Sequence, residues 1–60
     1  MIKEYDIVYA QRDLTDKVLK GCKGTVLIIY RNFPPVYEVE FVDESSTTID
    51  VLTVKSEDII

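Results

Sequence analysis

The chain contains no tryptophan, no histidine and only one cysteine, and each shortage excludes a class of protein. A single cysteine cannot form an internal disulfide framework. Without histidine the chain lacks the usual base for a catalytic nucleophile and a favoured ligand for zinc. No apolar run approaches the roughly 20 residues that a membrane-spanning helix needs. We therefore expect a protein that is not an enzyme, binds no metal or cofactor and has no membrane partner.

The small size of the chain limits where a site can lie. Its 60 residues are 47% hydrophobic, which suits one dense core near the lower limit of independent folding. A typical ligand pocket of roughly 300–1,000 Å³ would hardly fit inside such a core. The opening residues, 1–6, have no apolar secretory region. We expect one domain over residues 1–60, a cytoplasmic setting, and any site on the surface or between subunits.

Charge is distributed unevenly along the chain, whose net charge is −4. Residues 1–35 carry six cations and four anions, whereas residues 36–60 carry one cation and seven anions. An acidic half favours a basic partner. The alternative is that these charges simply solvate the outward faces of strands.

Four segments have the composition and periodicity of strands, and turn-forming residues separate them: residues 4–10, 24–31, 36–43 and 47–54. Ser56 and the two acids after it predict a single helical turn, and residues 59–60 predict a stub of a fifth strand. Pairing of that stub with the first strand would close the sheet. The long loop after the first strand is predicted to fold Leu14 and Leu19 onto the core. The sequence thus predicts an all-β fold with barrel-like closure.

The third and fourth segments differ in how clearly they define an inward face. The third alternates regularly, so its apolar residues are predicted inward and its glutamates outward: Tyr37, Val39 and Phe41 against Glu38 and Glu40. In the fourth, Ile49 and Val51 compete with Leu52 and Val54 for the inward positions. A bend or bulge in this strand would let both pairs contribute.

The second segment is apolar on both faces, which is unusual for a sheet with one solvated side. If Val26 and Ile28 point into the core, Leu27 and Ile29 point outward and form an apolar patch that marks an interface for self-association or for a protein partner. The alternative is that the long loop or the final strand covers this pair. The candidate protein interface combines the pair with residues of the first and third strands: Ile7, Tyr9, Leu27, Ile29, Glu38 and Glu40.

The order of the predicted elements resembles the SH3-like barrel, with the turn at Gly21 and Gly24 similar to its diverging turn. Several segments also resemble a bacterial family of small stand-alone proteins that is labelled only as a domain of unknown function: Tyr5-Asp6-Ile7-Val8, Asp13-Leu14, Gly21 with Gly24-Thr25-Val26, and Tyr37 to Asp43. The resemblance implies a five-stranded SH3-like barrel. Members are often encoded beside other small proteins, which implies a non-catalytic module that binds the product of a neighbouring gene, of toxin–antitoxin or immunity type.

Weaker resemblances leave other functions open. The Gly-x-x-Gly-x-Val turn resembles the KOW motif, which implies nucleic-acid binding through Lys17, Lys20 and Lys23, although the net charge of −4 argues against it. The same turn is similar to one in the barrel of the nitrile hydratase beta subunit, which implies an accessory to enzyme assembly. Peptide-binding SH3 domains use aromatic residues including a tryptophan, and here only Tyr9 and Tyr30 are candidates for such a groove.

The remaining reactive or acidic residues are interpreted as having no site of their own. Lys23 lies beside Cys22, and a nearby cation lowers the pKa of a thiol. Because no histidine is present to act as base, we interpret Cys22 as a turn thiol without function. Asp43, Glu44 and Asp58 lack the spacing of a calcium loop and are interpreted as solvated turn charges.

Overall fold

Four antiparallel strands in one sheet form the framework of the protein, and the computed structural model describes all 60 residues. The elements are β1 (Ile7–Tyr9), β2 (Lys23–Tyr30), β3 (Val36–Val42), β4 (Thr48–Lys55) and a 3₁₀ turn (Ser56–Asp58). The strands lie in the order β1-β2-β3-β4, so each pairs with its neighbour in sequence. The predicted all-β class and the single turn after the fourth strand are confirmed. No helix here has the length and hydrophobicity to cross a membrane.

The residues after the 3₁₀ turn do not form the predicted fifth strand. Ile59 makes one isolated antiparallel bridge with Ala10. Tyr9 and Ile60 exchange two backbone hydrogen bonds, with N···O distances of 3.0 and 2.9 Å. The chain therefore returns to β1, as expected, but the 3₁₀ turn brings only these last residues alongside it. The sheet has four strands, not five.

The centre of the core lies on β3, in the interior of the sheet. Its alternation is as predicted: the three apolar residues are buried and the two glutamates are half-buried on the opposite face. Nine buried residues form the core: Val8, Ala10, Val18, Val26, Tyr37, Val39, Phe41, Val54 and Ile59. These residues come from every strand, the first loop and the chain end, so one cluster holds all parts of the molecule together.

The long loop between β1 and β2 contributes Val18 to the core, and its side chain is completely buried. Leu14 also packs against the core, as predicted, but Leu19 is 51% exposed, so its predicted position is wrong. The cause is a turn at Thr15, whose hydroxyl oxygen accepts hydrogen bonds from the N–H groups of Lys17 and Val18 at 3.1 and 2.9 Å. This turn directs Val18, not its neighbour, toward the sheet.

A β-bulge in β2 reverses which side chains point inward. Leu27 is the extra residue and has no partner in β3. Because one additional residue shifts the alternation by one position, Ile28 points outward and is 45% exposed, whereas Ile29 packs against the core. The prediction is right for Val26, which is completely buried, and wrong for Ile28 and Ile29.

A second bulge, in β4, resolves the ambiguity of that strand. The register with β3 skips Ile49, which packs against the core together with Leu52, while Val54 is fully buried. Val51 is 41% exposed and lies on the opposite face. The predicted bulge is present. Because of it, Ile49 contributes to the core together with Leu52 and Val54, and only Val51 does not.

Candidate functional site

The face of the sheet opposite the core, called the outer face below, carries five apolar side chains that are 39–49% exposed: Ile7, Tyr9, Ile28, Tyr30 and Val51. The strand register aligns them in rows with polar neighbours. One row contains Ile7, Thr25, Glu40 and Val51, and another contains Ile28, Glu38 and Thr53. Apolar residues of three different strands therefore lie on one surface, with two acidic side chains between them.

The two glutamates of the outer face are held by threonines of β4. Thr53 Oγ1 donates a hydrogen bond to Glu38 Oε1 at 2.6 Å, and Thr48 Oγ1 donates one to Glu40 Oε2 at 2.5 Å. The ion pair of this chain lies elsewhere, between a loop arginine and the 3₁₀ turn. Each carboxylate is thus oriented by a neutral hydroxyl, and neither is neutralised by a cation of the chain.

The structure brings together four of the six predicted interface residues on the outer face, namely Ile7, Tyr9, Glu38 and Glu40. Leu27 is half-buried at the bulge, and Ile29 belongs to the core side. Three exposed apolar residues that sequence analysis did not assign to the candidate interface, Ile28, Tyr30 and Val51, lie on the outer face with those four. Nothing in the local pattern distinguishes Ile28 from Ile29, because only the pairing of β2 with β3 reveals the bulge.

Tyr9 and Tyr30, the two candidates for an aromatic groove, do not lie side by side. Tyr9 pairs with Lys23 at the start of β2, and Tyr30 is the last residue of the same strand. Seven residues of extended strand separate these positions, roughly 20 Å at about 3.3 Å per residue. The two rings therefore lie at opposite ends of the outer face.

A shallow cleft of about 670 Å³ lies between the glycine turn and the turn from β3 to β4, and Cys22, Lys23 and Asp43 line it. The Cys22 thiol is half-buried and donates to the Val42 carbonyl oxygen at an S···O distance of 3.5 Å. Burial raises the pKa of this thiol, and the negative charge of Asp43 raises it further. The neighbouring Lys23 therefore does not bring the pKa of this thiol below its ordinary value. The cleft thus holds a thiol that is less ionised than free cysteine.

We expect Cys22 to react slowly with iodoacetamide near neutral pH, because only the thiolate is nucleophilic and its population is reduced. The reaction should be several-fold slower in the folded protein than in the same protein unfolded in urea, and it should accelerate only above the ordinary thiol pKa. Mass spectrometry of alkylation against time and pH measures this. Equal rates in the folded and unfolded protein would contradict the raised pKa.

Asp58 is a buried residue at the end of the 3₁₀ turn, so its interpretation as a solvated charge is wrong. Its Oδ2 accepts a hydrogen bond from the Lys55 backbone N–H at 3.0 Å, and its Oδ1 lies 2.8 Å from Arg12 Nη2. The Lys55 N–H lowers the pKa of Asp58, burial opposes this, and Arg12 lowers the pKa further. Asp58 therefore joins the long loop to the end of β4 as a structural ion pair.

The other acidic candidates do not form a metal site. Asp43 is exposed, and its Oδ1 accepts hydrogen bonds from the N–H groups of Ser45 and Thr47 at 2.8 and 3.0 Å. It therefore organises the turn between β3 and β4. Glu44 is exposed as predicted, and the structure contains no group of three side chains placed to hold a metal ion.

Residues 4–60 match the family described as Domain of unknown function (DUF4926). The chain belongs to this family. The DUF4926 match spans all four strands and the 3₁₀ turn, so the predicted resemblance to a small family of unknown function is confirmed. No curated protein and no solved structure matches the chain. The family description names no activity.

Proposed function

We propose that this DUF4926 protein is a non-catalytic protein-interaction module that binds a basic partner through the outer face. The observation that carries the proposal is the grouping of five exposed apolar side chains around two unneutralised carboxylates on one side of the sheet. Exposed apolar residues grouped on one face and interspersed with polar ones mark an interaction site on a small protein. Protein interfaces combine such an apolar centre with polar groups that set orientation.

The charge of the partner is inferred from Glu38 and Glu40. They occupy alternate positions of β3, so their Cα atoms are roughly 7 Å apart on the same face. One oxygen of each carboxylate is bonded to a threonine hydroxyl, and the other can accept a hydrogen bond from a ligand. A partner with two lysine or arginine side chains at a matching separation would neutralise both. Attraction between opposite charges speeds the association of two proteins, and the resulting affinity falls as salt is added.

The proposal also covers the type of β fold, the origin of the partner and the cellular location of the complex. We propose that the sheet is a small SH3-like barrel, supported by the long loop, the glycine turn, the 3₁₀ turn and the backbone bonds between Tyr9 and Ile60. We propose further that the partner is the product of a neighbouring gene and that the complex forms in the cytoplasm.

The test uses affinity purification of the tagged protein from its own cells, comparing wild type with one double and one single threonine variant. Ile28→Thr with Val51→Thr removes apolar surface from the outer face while keeping β-branched residues. Leu19→Thr is the matched control, because Leu19 is similarly exposed but lies in the loop. We expect a partner that is retained by wild type and by Leu19→Thr and is lost from the outer-face variant.

The charge requirement is tested next with that purified partner. Glu38→Gln with Glu40→Gln should weaken binding about tenfold or more by calorimetry, since two charge-assisted contacts are lost, and wild-type binding should weaken as salt is raised. Equal retention of the partner by the outer-face variant would overturn the proposal. Tight binding of mixed RNA or DNA oligomers at low salt, dependent on Lys17, Lys20 and Lys23, would establish the nucleic-acid alternative instead.

A further inference from the structure

Two backbone donors at the free edge of the sheet, on β4, are capped by aspartates. β4 is the last strand in the sheet order, so one of its edges pairs with β3 and the other has no strand beside it. It is eight residues long, and a long unpaired edge is a template for strand addition by another chain. Natural proteins therefore protect such edges, and the hydrogen bonds of β4 show how this edge is protected.

The donors that face the free edge follow from the alternation of an antiparallel ladder, in which every second residue points its N–H away from the partner strand. The Lys55 N–H donates to Asp58 Oδ2 at 3.0 Å, and the Val51 N–H donates to Asp50 Oδ1 at 2.8 Å. Thr53 lies midway between them and shares their orientation. No backbone hydrogen bond outside the sheet involves Thr53. Between Val51 and Lys55, two of the three donors that face the edge are therefore capped by carboxylates.

The two caps differ in what else they do. Asp58 is buried and also bonds Arg12, so it cannot be removed without disturbing the fold. Asp50 is exposed, and its side chain bonds only the N–H of the next residue. Its carboxylate lies where the carbonyl oxygen of an added strand would lie. Asp50 is therefore the cap whose effect on the edge can be tested alone.

We infer that Asp50 keeps the β4 edge closed to a second copy of this chain. An antiparallel pair of β4 strands, arranged with Val51 of one copy opposite Thr53 of the other, would form four backbone hydrogen bonds. Two of the four need the Val51 N–H groups, which Asp50 occupies in each copy. With Asp50 present only the Thr53 donors remain, and the charged carboxylates of both copies lie against the seam.

The test compares self-association of wild type, Asp50→Ala, Asp50→Asn and Asp16→Ala by sedimentation over a wide range of concentration. Asp50→Ala should self-associate at least about tenfold more tightly than wild type, because the Val51 N–H groups of both copies become free to form backbone hydrogen bonds. Asp50→Asn keeps an oxygen acceptor without the charge, so it should stay close to wild type. Asp16→Ala removes the same charge from an exposed loop position and should not associate.

Amide hydrogen exchange locates the contact. In wild type the Thr53 amide should exchange faster than those of Leu52 and Val54, and in Asp50→Ala it should become protected as concentration rises. If Asp50→Ala does not fold, Asp50→Val takes its place, since valine favours strands and offers no acceptor. Monomeric behaviour of the folded variant, association without protection of Thr53, or a Thr53 amide already protected in dilute wild type would each overturn the inference.

Discussion

Gly24→Ala is expected to destabilise the protein by about 2–3 kcal/mol, because the added methyl group has no space. A Cβ atom at Gly24 would lie 2.6 Å from Val39 Cγ1 and 3.0 Å from Phe41 Cδ1. Both neighbours are completely buried, so neither can move aside without disturbing the core. A core of this size supplies only about 3–5 kcal/mol, and the variant should be partly unfolded at room temperature. Urea denaturation followed by circular dichroism measures the loss.

Gly21→Ala is the matched control, because the two glycines serve different purposes. Gly21 has a φ of +89°, and no atom lies within 4 Å of a Cβ built there. The cost of alanine is then backbone strain alone, about 1 kcal/mol, and asparagine should cost less because it tolerates positive φ. A loss at Gly24 no larger than the loss at Gly21 would contradict the steric argument.

A double-mutant cycle identifies the clash directly. Val39→Ala removes the Cγ1 atom that a Cβ at Gly24 would meet, although it leaves a cavity of its own. The combined variant should therefore be more stable than the sum of the two single losses predicts, by about 1 kcal/mol. Simple additivity would show that the methyl group added at Gly24 is accommodated in some other way.

Asp58→Ala is expected to cost about 2 kcal/mol, since it leaves the Lys55 N–H without its acceptor and frees the long loop. Arg12→Ala should cost less than about 1 kcal/mol, because the Arg12 side chain is 64% exposed and its ion pair is partly screened. Glu57→Ala is the matched control in the same 3₁₀ turn. It is exposed, so its effect should stay within about 0.5 kcal/mol.

The contribution of Asp58 should depend on pH with a defined sign. The pKa of Asp58 is lower in the folded protein than its ordinary value, chiefly because of the Lys55 N–H. A lowered pKa stabilises the folded state above the unfolded value of about 4 and loses that effect as the pH falls through the folded value. The stability difference between wild type and Asp58→Ala should thus be constant near neutral pH and shrink in acid. A difference that persists unchanged in strong acid would contradict this.

Sequence analysis correctly predicted the elements whose structure depends mainly on residues close together in the chain. β3 alternates strictly, so its core residues Tyr37, Val39 and Phe41 follow from a period of two. The 3₁₀ turn after β4 was also predicted, from Ser56 and the two acids after it. In each case a few neighbouring side chains are enough to decide the outcome.

Residues whose position depends on distant partners were predicted poorly. Asp58 looks like any acidic turn residue until Arg12, 46 positions earlier in the chain, is brought beside it. Val18 and Leu19 are adjacent apolar residues, and Val18 is the one that packs into the core formed by the strands. Such choices require the assembled sheet, because the competing local conformations differ little in energy.

In the candidate site, too, some features follow from the sequence alone and others depend on how the strands pair. The sequence by itself determined that β2 is too apolar for a strand with one solvated face and that Glu38 and Glu40 point away from the core. Tertiary structure alone decided that Ile28, and not Ile29, joins them on the outer face, since the bulge at Leu27 exists only in the pairing of β2 with β3. Strand register is a property of two strands together, and a one-residue shift reverses every side chain beyond it.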